Sequence, residues 1–332
     1  MEETPVILVT AGYDHTIRMW DALKSTCTRS IPYTESQINR MALSSDKHYL
    51  AVAGNPRVSL YDVFGTSEQP VLNLDGHKAN VTAVEFTQDY KYLATSSEDK
   101  TIRWWDVYAG SCKRVLDNGS IVNDLAIHPD GRQELIISCD QKGRVRVWGL
   151  KRQEVLCQAM PQPDVAVRSV AVSPNGQLVV AGNNLGQVFI YRLTIDSSPQ
   201  TGRIVELEPY INFDAHDGNK ITRVLFSSNG LYLATCSSDR TAKLWQLSER
   251  VIPAPNGSGE EVVQAGAELV HCLEYHQRWV WDAAFSSDSG YLVTVSSDMR
   301  AALWDVSSGQ VIREFKGHGK ALVCVALNDA TG

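Results

Sequence analysis

Histidine and aspartate are the residues whose types and spacing in this chain could do chemistry. His77 precedes Asp99, His216 precedes Asp239 and His276 precedes Asp298, each pair 22 or 23 residues apart. His318, near the end, has its counterpart in Asp14, near the start. A carboxylate that orients an imidazole is half of an acid–base relay. A catalytic relay is normally unique in a chain, however, and these pairs occur four times at equivalent places. Repetition favours a structural role, in which buried His and Asp satisfy each other's hydrogen bonds. His271, Cys272 and His276 form a loose cluster whose spacing matches no strong zinc pattern. No metal is expected, and no P-loop, GxGxxG or GxSxG motif indicates a cofactor or a hydrolase.

The elements that must position these residues repeat. Ser97–Asp106 (SEDKTIRWWD) reads as an acidic turn, a short strand and a terminal Trp-Asp, and Gly12–Asp21, Ser237–Gln246 and Ser296–Asp305 are copies. Weaker copies end at Tyr61, Trp148 and Tyr191. The terminal aromatics Trp20, Tyr61, Trp105, Trp148, Tyr191, Trp245 and Trp304 are separated by 41, 44, 43, 43, 54 and 59 residues. That period with a Trp-Asp ending resembles the WD40 propeller signature, with four strands per blade. First strands are predicted at Val81–Phe86, Val122–Ile127, Val167–Val172 and Ile221–Phe226. Their apolar residues are adjacent rather than alternating, as in strands covered on both faces.

The chain starts on a second strand, Val6–Thr10, and ends on an orphan first strand, Leu322–Leu327. Joined, they complete one blade and close an all-β, seven-bladed ring, a single domain over residues 1–332. Two long gaps hold insertions, Thr194–Pro209 and Val251–Glu268, rich in Pro, Gly, Ser and acids. The second is expected to be a mobile surface loop.

Composition narrows the function. A net charge of −7 argues against a nucleic-acid surface. No apolar run is long enough to span a membrane, and MEETPVILVT lacks the regions of a signal peptide. Seven dispersed cysteines without CxxC read as reduced and cytosolic.

What remains is a surface. Where each first strand begins, the seven units align Asn39, Thr82, Asn123, Arg168, Thr222, Trp281 and Val323 in one column. Two residues upstream stand Gln37, Asn80, Ile121, Ala166, Lys220, Trp279 and Ala321. One unit thus carries two tryptophans at i and i+2, which share a side of the strand. Trp281 has two open readings: a ring packed beside Ala283 and Phe285, filling the gap left by small Ala283, or a partner contact. Trp279, farther out, is expected to be an exposed anchor for a protein partner.

LVTAGYDHTIRMWD, RWVWDAAFSSDSGYLVTVSSDMRAALWDV and GHGKALVCVALND go beyond a generic repeat. Together they resemble the small WD-repeat subunit of target-of-rapamycin (TOR) kinase complexes, the lethal-with-SEC-thirteen or G-protein beta-subunit-like family. The resemblance covers essentially the whole chain, although Val251–Glu268 looks extended relative to that family. It implies a buried chain of hydrogen bonds in four blades, through His77, Asp99 and Trp105; His216, Asp239 and Trp245; His276, Asp298 and Trp304; and His318, Asp14 and Trp20. It also implies a non-catalytic cytoplasmic subunit, shared by both TOR complexes, with no cofactor. That subunit docks on the C-lobe of the kinase domain, meets other subunits, and visits vacuolar or lysosomal membranes only through the complex. The family's contact rim maps onto Gln37, Asn39, Trp279 and Trp281, with Asn123 and Arg168 as further candidates.

Three rival classes fit the sequence less well. A heterotrimeric G-protein β subunit needs a long N-terminal helix, yet strand residues begin by Val6. A ubiquitin-ligase substrate receptor often carries Trp-Asp-x-Arg, where this chain has Leu23, Tyr108, Lys151 and Ser307. A propeller enzyme would need a unique polar cluster in the channel mouth, and the sequence shows none.

Overall fold

Short β-rich runs, each too small to bury both faces alone, are stacked as seven four-stranded antiparallel sheets. The computed structural model describes residues 6–196, 204–253 and 261–329, which contain 28 strands and one short 3-10 turn, Gly131–Gln133. Each sheet is a blade, named below by its terminal aromatic. The predicted first strands are found at Val81–Phe86, Val122–Ile127, Val167–Val172 and Ile221–Phe226.

The apolar core lies between blades. One cluster joins Ala94, Ile102 and Trp104 of the Trp105 blade to Leu125, Ile136 and Trp148 of the next. Another joins Val180, Val188 and Ile190 of the Tyr191 blade to Ile221, Val224 and Trp245. Inner strands covered on both sides can therefore be apolar at successive positions.

The ring closes as the two orphan strands require. Leu322–Asn328 pairs antiparallel with Ile7–Gly12, from Ile7 opposite Asn328 to Gly12 opposite Leu322. The closing blade runs Leu322–Asn328, Ile7–Gly12, Thr16–Asp21, Thr26–Pro32. Its inner edge is the end of the chain and its outer strands are the beginning.

The described residues of the two insertions are strand. Gln187–Asp196 pairs with Ile204–Asp214, and Thr241–Pro253 pairs with Glu261–Glu274 as far as Pro253 opposite Glu261. The reading of Val251–Glu268 as a surface loop is corrected to this extent. Residues inserted between adjacent antiparallel strands can be added as further rungs, which satisfies their backbone groups. Residues 197–203 and 254–260 lie outside the described residues.

Gly12 marks the tightest point of the closure. A Cβ there would stand 2.1 Å from the Ala321 carbonyl oxygen, where the register shifts between Ala11 and Gly12. Gly12→Ala is expected to lower unfolding free energy by about 2–3 kcal/mol, the cost of overpacking against backbone. Gly131→Ala, which meets nothing within 4 Å, should stay within about 0.5 kcal/mol of wild type in the same urea titration.

Candidate docking face at the channel mouth

Six of the seven inner strands break register at the same place. The shifts fall at Val81/Ala83, Val122/Asp124, Val167/Ser169, Ile221/Arg223 and Val280/Asp282, and on the closing strand between Leu322 and Cys324. The residue left out of the ladder is Thr82, Asn123, Arg168, Thr222, Trp281 or Val323, the column aligned from the sequence. A bulge re-aims the extra side chain, and all seven column residues, Asn39 included, line one cavity of about 230 Å³ at the mouth of the ring.

Part of this column latches blade to blade. Asn39 Nδ2 donates to the Val81 carbonyl at 3.0 Å, Thr82 Oγ1 to Val122 at 2.7 Å and Asn123 Nδ2 to Val167 at 2.7 Å. Thr222 Oγ1 donates to the Val280 carbonyl in the same way. Each acceptor directly precedes the bulged residue of the next blade. Arg168 Nε donates to Asn184 Oδ1 at 2.7 Å, and its Nη1 lies 3.4 Å from Asn123 Oδ1. Asn39 and Asn123 thus already hold neighbouring blades, while Gln37 stays exposed.

The two tryptophans divide the work. Trp281 is partly buried, donates Nε1–H to Ser297 Oγ at 2.6 Å, and packs against the cluster containing Ile38 and Val323. Ala283 and Phe285 belong to a different cluster. The packing of Trp281 beside them, read from strand parity, is overturned because the bulge after Val280 shifts that parity. Trp279 is 44% exposed, its ring 5.3 Å from that of Trp281. Lys220 Nζ lies 5.6 Å from one ring centroid and 5.5 Å from the other, a cation–π clamp from the adjacent blade.

Beneath the mouth, the column one residue further along carries charge. Arg40 bridges Asp124 at 3.4 Å and Asp282 at 3.0 Å, and Arg223 bridges Asp124 at 3.0 Å and Asp282 at 3.3 Å. Four blades are tied across the channel. Ser169 Oγ and the Val170 amide donate to Asp124, and the Val325 amide of the closing strand donates to Asp282. The sequence reading that found no polar cluster in the channel is corrected here. Its members sit in unrelated repeats, and the signal was a lone charge inside each of the apolar strands VNDLAI, ITRVLF and VWDAAF. The carboxylates are saturated by guanidinium and amide donors, an arrangement suited to bracing rather than proton transfer.

Glu85 stands beside this quartet and accepts from the Ile127 amide at 3.1 Å. Enclosure by protein pushes its carboxyl up to about 7, against the pull of that amide and of Arg223.

Four blades form one and the same hydrogen-bonded chain. In the Trp105 blade, His77 Nδ1 meets Asp99 Oδ2 at 2.8 Å, His77 Nε2 meets Thr95 Oγ1 at 2.7 Å, and Trp105 Nε1–H donates to Thr95 Oγ1 at 2.9 Å. His216 joins Asp239, Thr235 and Trp245 at 2.7, 2.8 and 3.0 Å along the same path. His276 joins Asp298, Thr294 and Trp304 at 2.9, 2.8 and 2.9 Å. His318 joins Asp14, Thr10 and Trp20, each step 2.8 Å, across the chain ends. The Asp also caps its own turn, since Asp99 Oδ1 accepts from the Thr101 amide and hydroxyl while Lys100 takes a positive φ of 73°. Burial opposes the charge on Asp99, but hydrogen bonds from Thr101 and His77 outweigh it and hold the carboxyl near 2. Burial also holds His77 and His318 below the ordinary imidazole range.

The Trp148 blade uses other parts, which sequence spacing missed. Trp148 Nε1–H donates to Ser138 Oγ at 2.8 Å, and Asn118 and Arg144 both donate to Asp140. Asp140 lies eight residues before the aromatic rather than six. His271 Nε2 faces the Ser307 carbonyl at 3.1 Å, and among the described residues no three His, Cys, Asp or Glu side chains converge as metal ligands.

A closed seven-bladed ring with this polar chain defines a WD-repeat propeller, and the family model described as "WD domain, G-beta repeat" matches residues 4–21, 68–106, 110–149, 156–192, 207–246 and 267–305. The chain is 45% identical over 324 residues to the target of rapamycin complex subunit wat1 of Schizosaccharomyces pombe, covering 98% of this chain and 96% of that one. It is 42% identical to the target of rapamycin complex subunit LST8 of Saccharomyces cerevisiae, covering 98% and 99%, and 34% identical to LST8 of Bos taurus, covering 98% and 96%. The chain belongs to the LST8/wat1 family of WD-repeat proteins.

Thr95→Val keeps shape but strips the hydroxyl shared by His77 and Trp105. Two buried polar groups lose their partner, so urea unfolding should show a loss of about 2–4 kcal/mol. For Glu85, the folded state holds a proton that the unfolded chain has released between pH 4.5 and about 7. Its raised folded-state pKa therefore lowers stability as pH rises through that window. Glu85→Gln removes this slope, so the variant should gain on wild type between pH 5 and pH 8, by at most about 3 kcal/mol at 1.36 kcal/mol per pKa unit.

Proposed function

We propose that this propeller is a non-catalytic scaffold subunit of TOR complexes, and that the face carrying Trp279 docks the C-lobe of the TOR kinase domain. Trp279 carries this reading. It is a large aromatic left 44% exposed on the rim of a ring whose other blades present no aromatic residue at that position. Trp281 and Lys220 hold it in place, so little side-chain entropy remains to be lost on binding. The names of the wat1 and LST8 relatives supply the identity of the assembly. Gln37 is a further contact on the same face. Asn39 and Asn123 act mainly by fixing the blades that present it.

The subunit works in the cytoplasm, serves both complexes, and visits vacuolar or lysosomal membranes as a passenger of the assembly. Among the described residues no helix is long and apolar enough to cross a membrane.

Trp279→Asp tests the reading better than a change at Trp281, whose ring is part of the packing. Affinity capture from host lysate should recover the TOR kinase, identified by mass spectrometry, with wild type and not with Trp279→Asp. The two proteins should melt within about 2 °C of each other, as expected of a surface substitution. Equal recovery by both would move the docking face elsewhere.

A further inference from the structure

The same face carries more positive charge than it balances, in a chain whose net charge is −7. Lys220 and Arg168 are partly buried side by side in the wall of the mouth cavity. Among the described residues the Arg168 guanidinium is held only by the amide oxygens of Asn184 and Asn123, and the Lys220 ammonium only by the two indole rings. Among the described residues neither forms an ion pair with a carboxylate. This differs from Arg40 just below, whose charge Asp124 and Asp282 balance. The Lys220 ammonium is disfavoured by burial and by the neighbouring Arg168. Beyond Trp279 lies a shallow hollow of about 520 Å³ with Arg240 and Arg278 in its wall and no acidic residue. The one carboxylate lining the mouth, Glu98, is an exposed rim residue that accepts from Asn80 at 3.2 Å.

Half-buried cations without counter-ions cost desolvation that amide oxygens and indole faces return only in part. A bound anionic oxygen group would return it, and the site is shaped for one on a chain. The mouth cavity is deep enough for a side chain and too small for a folded element, and the exposed Trp279 ring beside it offers an apolar platform. We propose that the docking face reads acid: an aspartate or glutamate of the partner's docking segment enters the mouth between Lys220 and Arg168, while an adjacent apolar side chain of that segment covers Trp279. This rests on the docking reading above and adds the chemistry of the segment that docks.

The test uses the full-length propeller and purified TOR kinase, with affinity measured from 50 to 300 mM NaCl. Wild-type affinity should fall as salt rises. Lys220→Gln with Arg168→Gln should weaken binding about tenfold at low salt and flatten the salt dependence. Lys220→Gln alone, which removes no hydrogen bond, should do the same in part and guards against misfolding of the double variant. Trp279→Ala should weaken binding while leaving the salt dependence as in wild type. If the glutamine variants bind with wild-type affinity and slope while Trp279→Ala loses binding, the face docks its partner but does not read acid. If Trp279→Ala binds like wild type, the docking reading fails and takes this inference with it. In a separate arm, inorganic phosphate is titrated into the propeller alone at constant ionic strength, with tryptophan fluorescence as readout. A linear, unsaturable response supports a chain-borne carboxylate. Saturation below about 1 mM (a free energy near −4 kcal/mol) makes the occupant a free anion and overturns the proposal.

Discussion

Everything in this molecule depends on one antiparallel pairing, that of Leu322–Asn328 with Ile7–Gly12. A blade has no core of its own, because its apolar side chains are shared with the blade before and the blade after. Only a closed circle supplies every blade with two neighbours. The pairing joins residues more than 300 apart in the chain, and closing so large a loop costs entropy that grows with its length. The return is spread over the ring: two sheet edges are removed, and His318 delivers a ring nitrogen to each of Thr10 and Asp14. The Val325 amide of the same strand also reaches Asp282 in the channel.

The polar interior sets the geometry within that circle. In four blades the His–Thr–Trp chain fixes the second and third strands against the turn that joins them, and the shared Asp both caps the turn and orients the imidazole. The Arg40–Asp124–Arg223–Asp282 quartet works at another scale, tying blades together across the channel. Buried ion pairs add little net stability over apolar packing, but they specify arrangement. Here they fix how far apart the inner strands stand, and so the width of the mouth above them.

The bulges connect this frame to the surface. Without them, the column residues from Thr82 to Val323 would continue the ladder. One extra residue in each of six inner strands turns these side chains toward the opening, where some latch the next blade and one, Trp281, backs the exposed Trp279. A rigid ring thereby presents an aromatic edge and two uncompensated cations in fixed positions, as a scaffold must if binding is not to be spent on ordering itself.

The sequence by itself determined the number of blades, their strands and the point of closure, because each is written as a local pattern recurring about every 43 residues. It also carried the His, Asp and Trp of the four polar chains, since their spacing within a repeat is constant. The exposed Trp279 was legible as the one aromatic in its column. Only the tertiary structure decided what has no fixed spacing. Asp124 meets Arg40, 84 residues earlier, and Arg223, 99 residues later, because curvature of the ring brings inner strands together, and no repeat records that distance. Trp281 left the face that parity gave it because a bulge resets the two-residue period of a strand. Most of the described insertion residues became strand because a hairpin can lengthen wherever both arms can pair. Periodic information survives in a linear chain; the meeting of distant, unrelated positions exists only once the circle is closed.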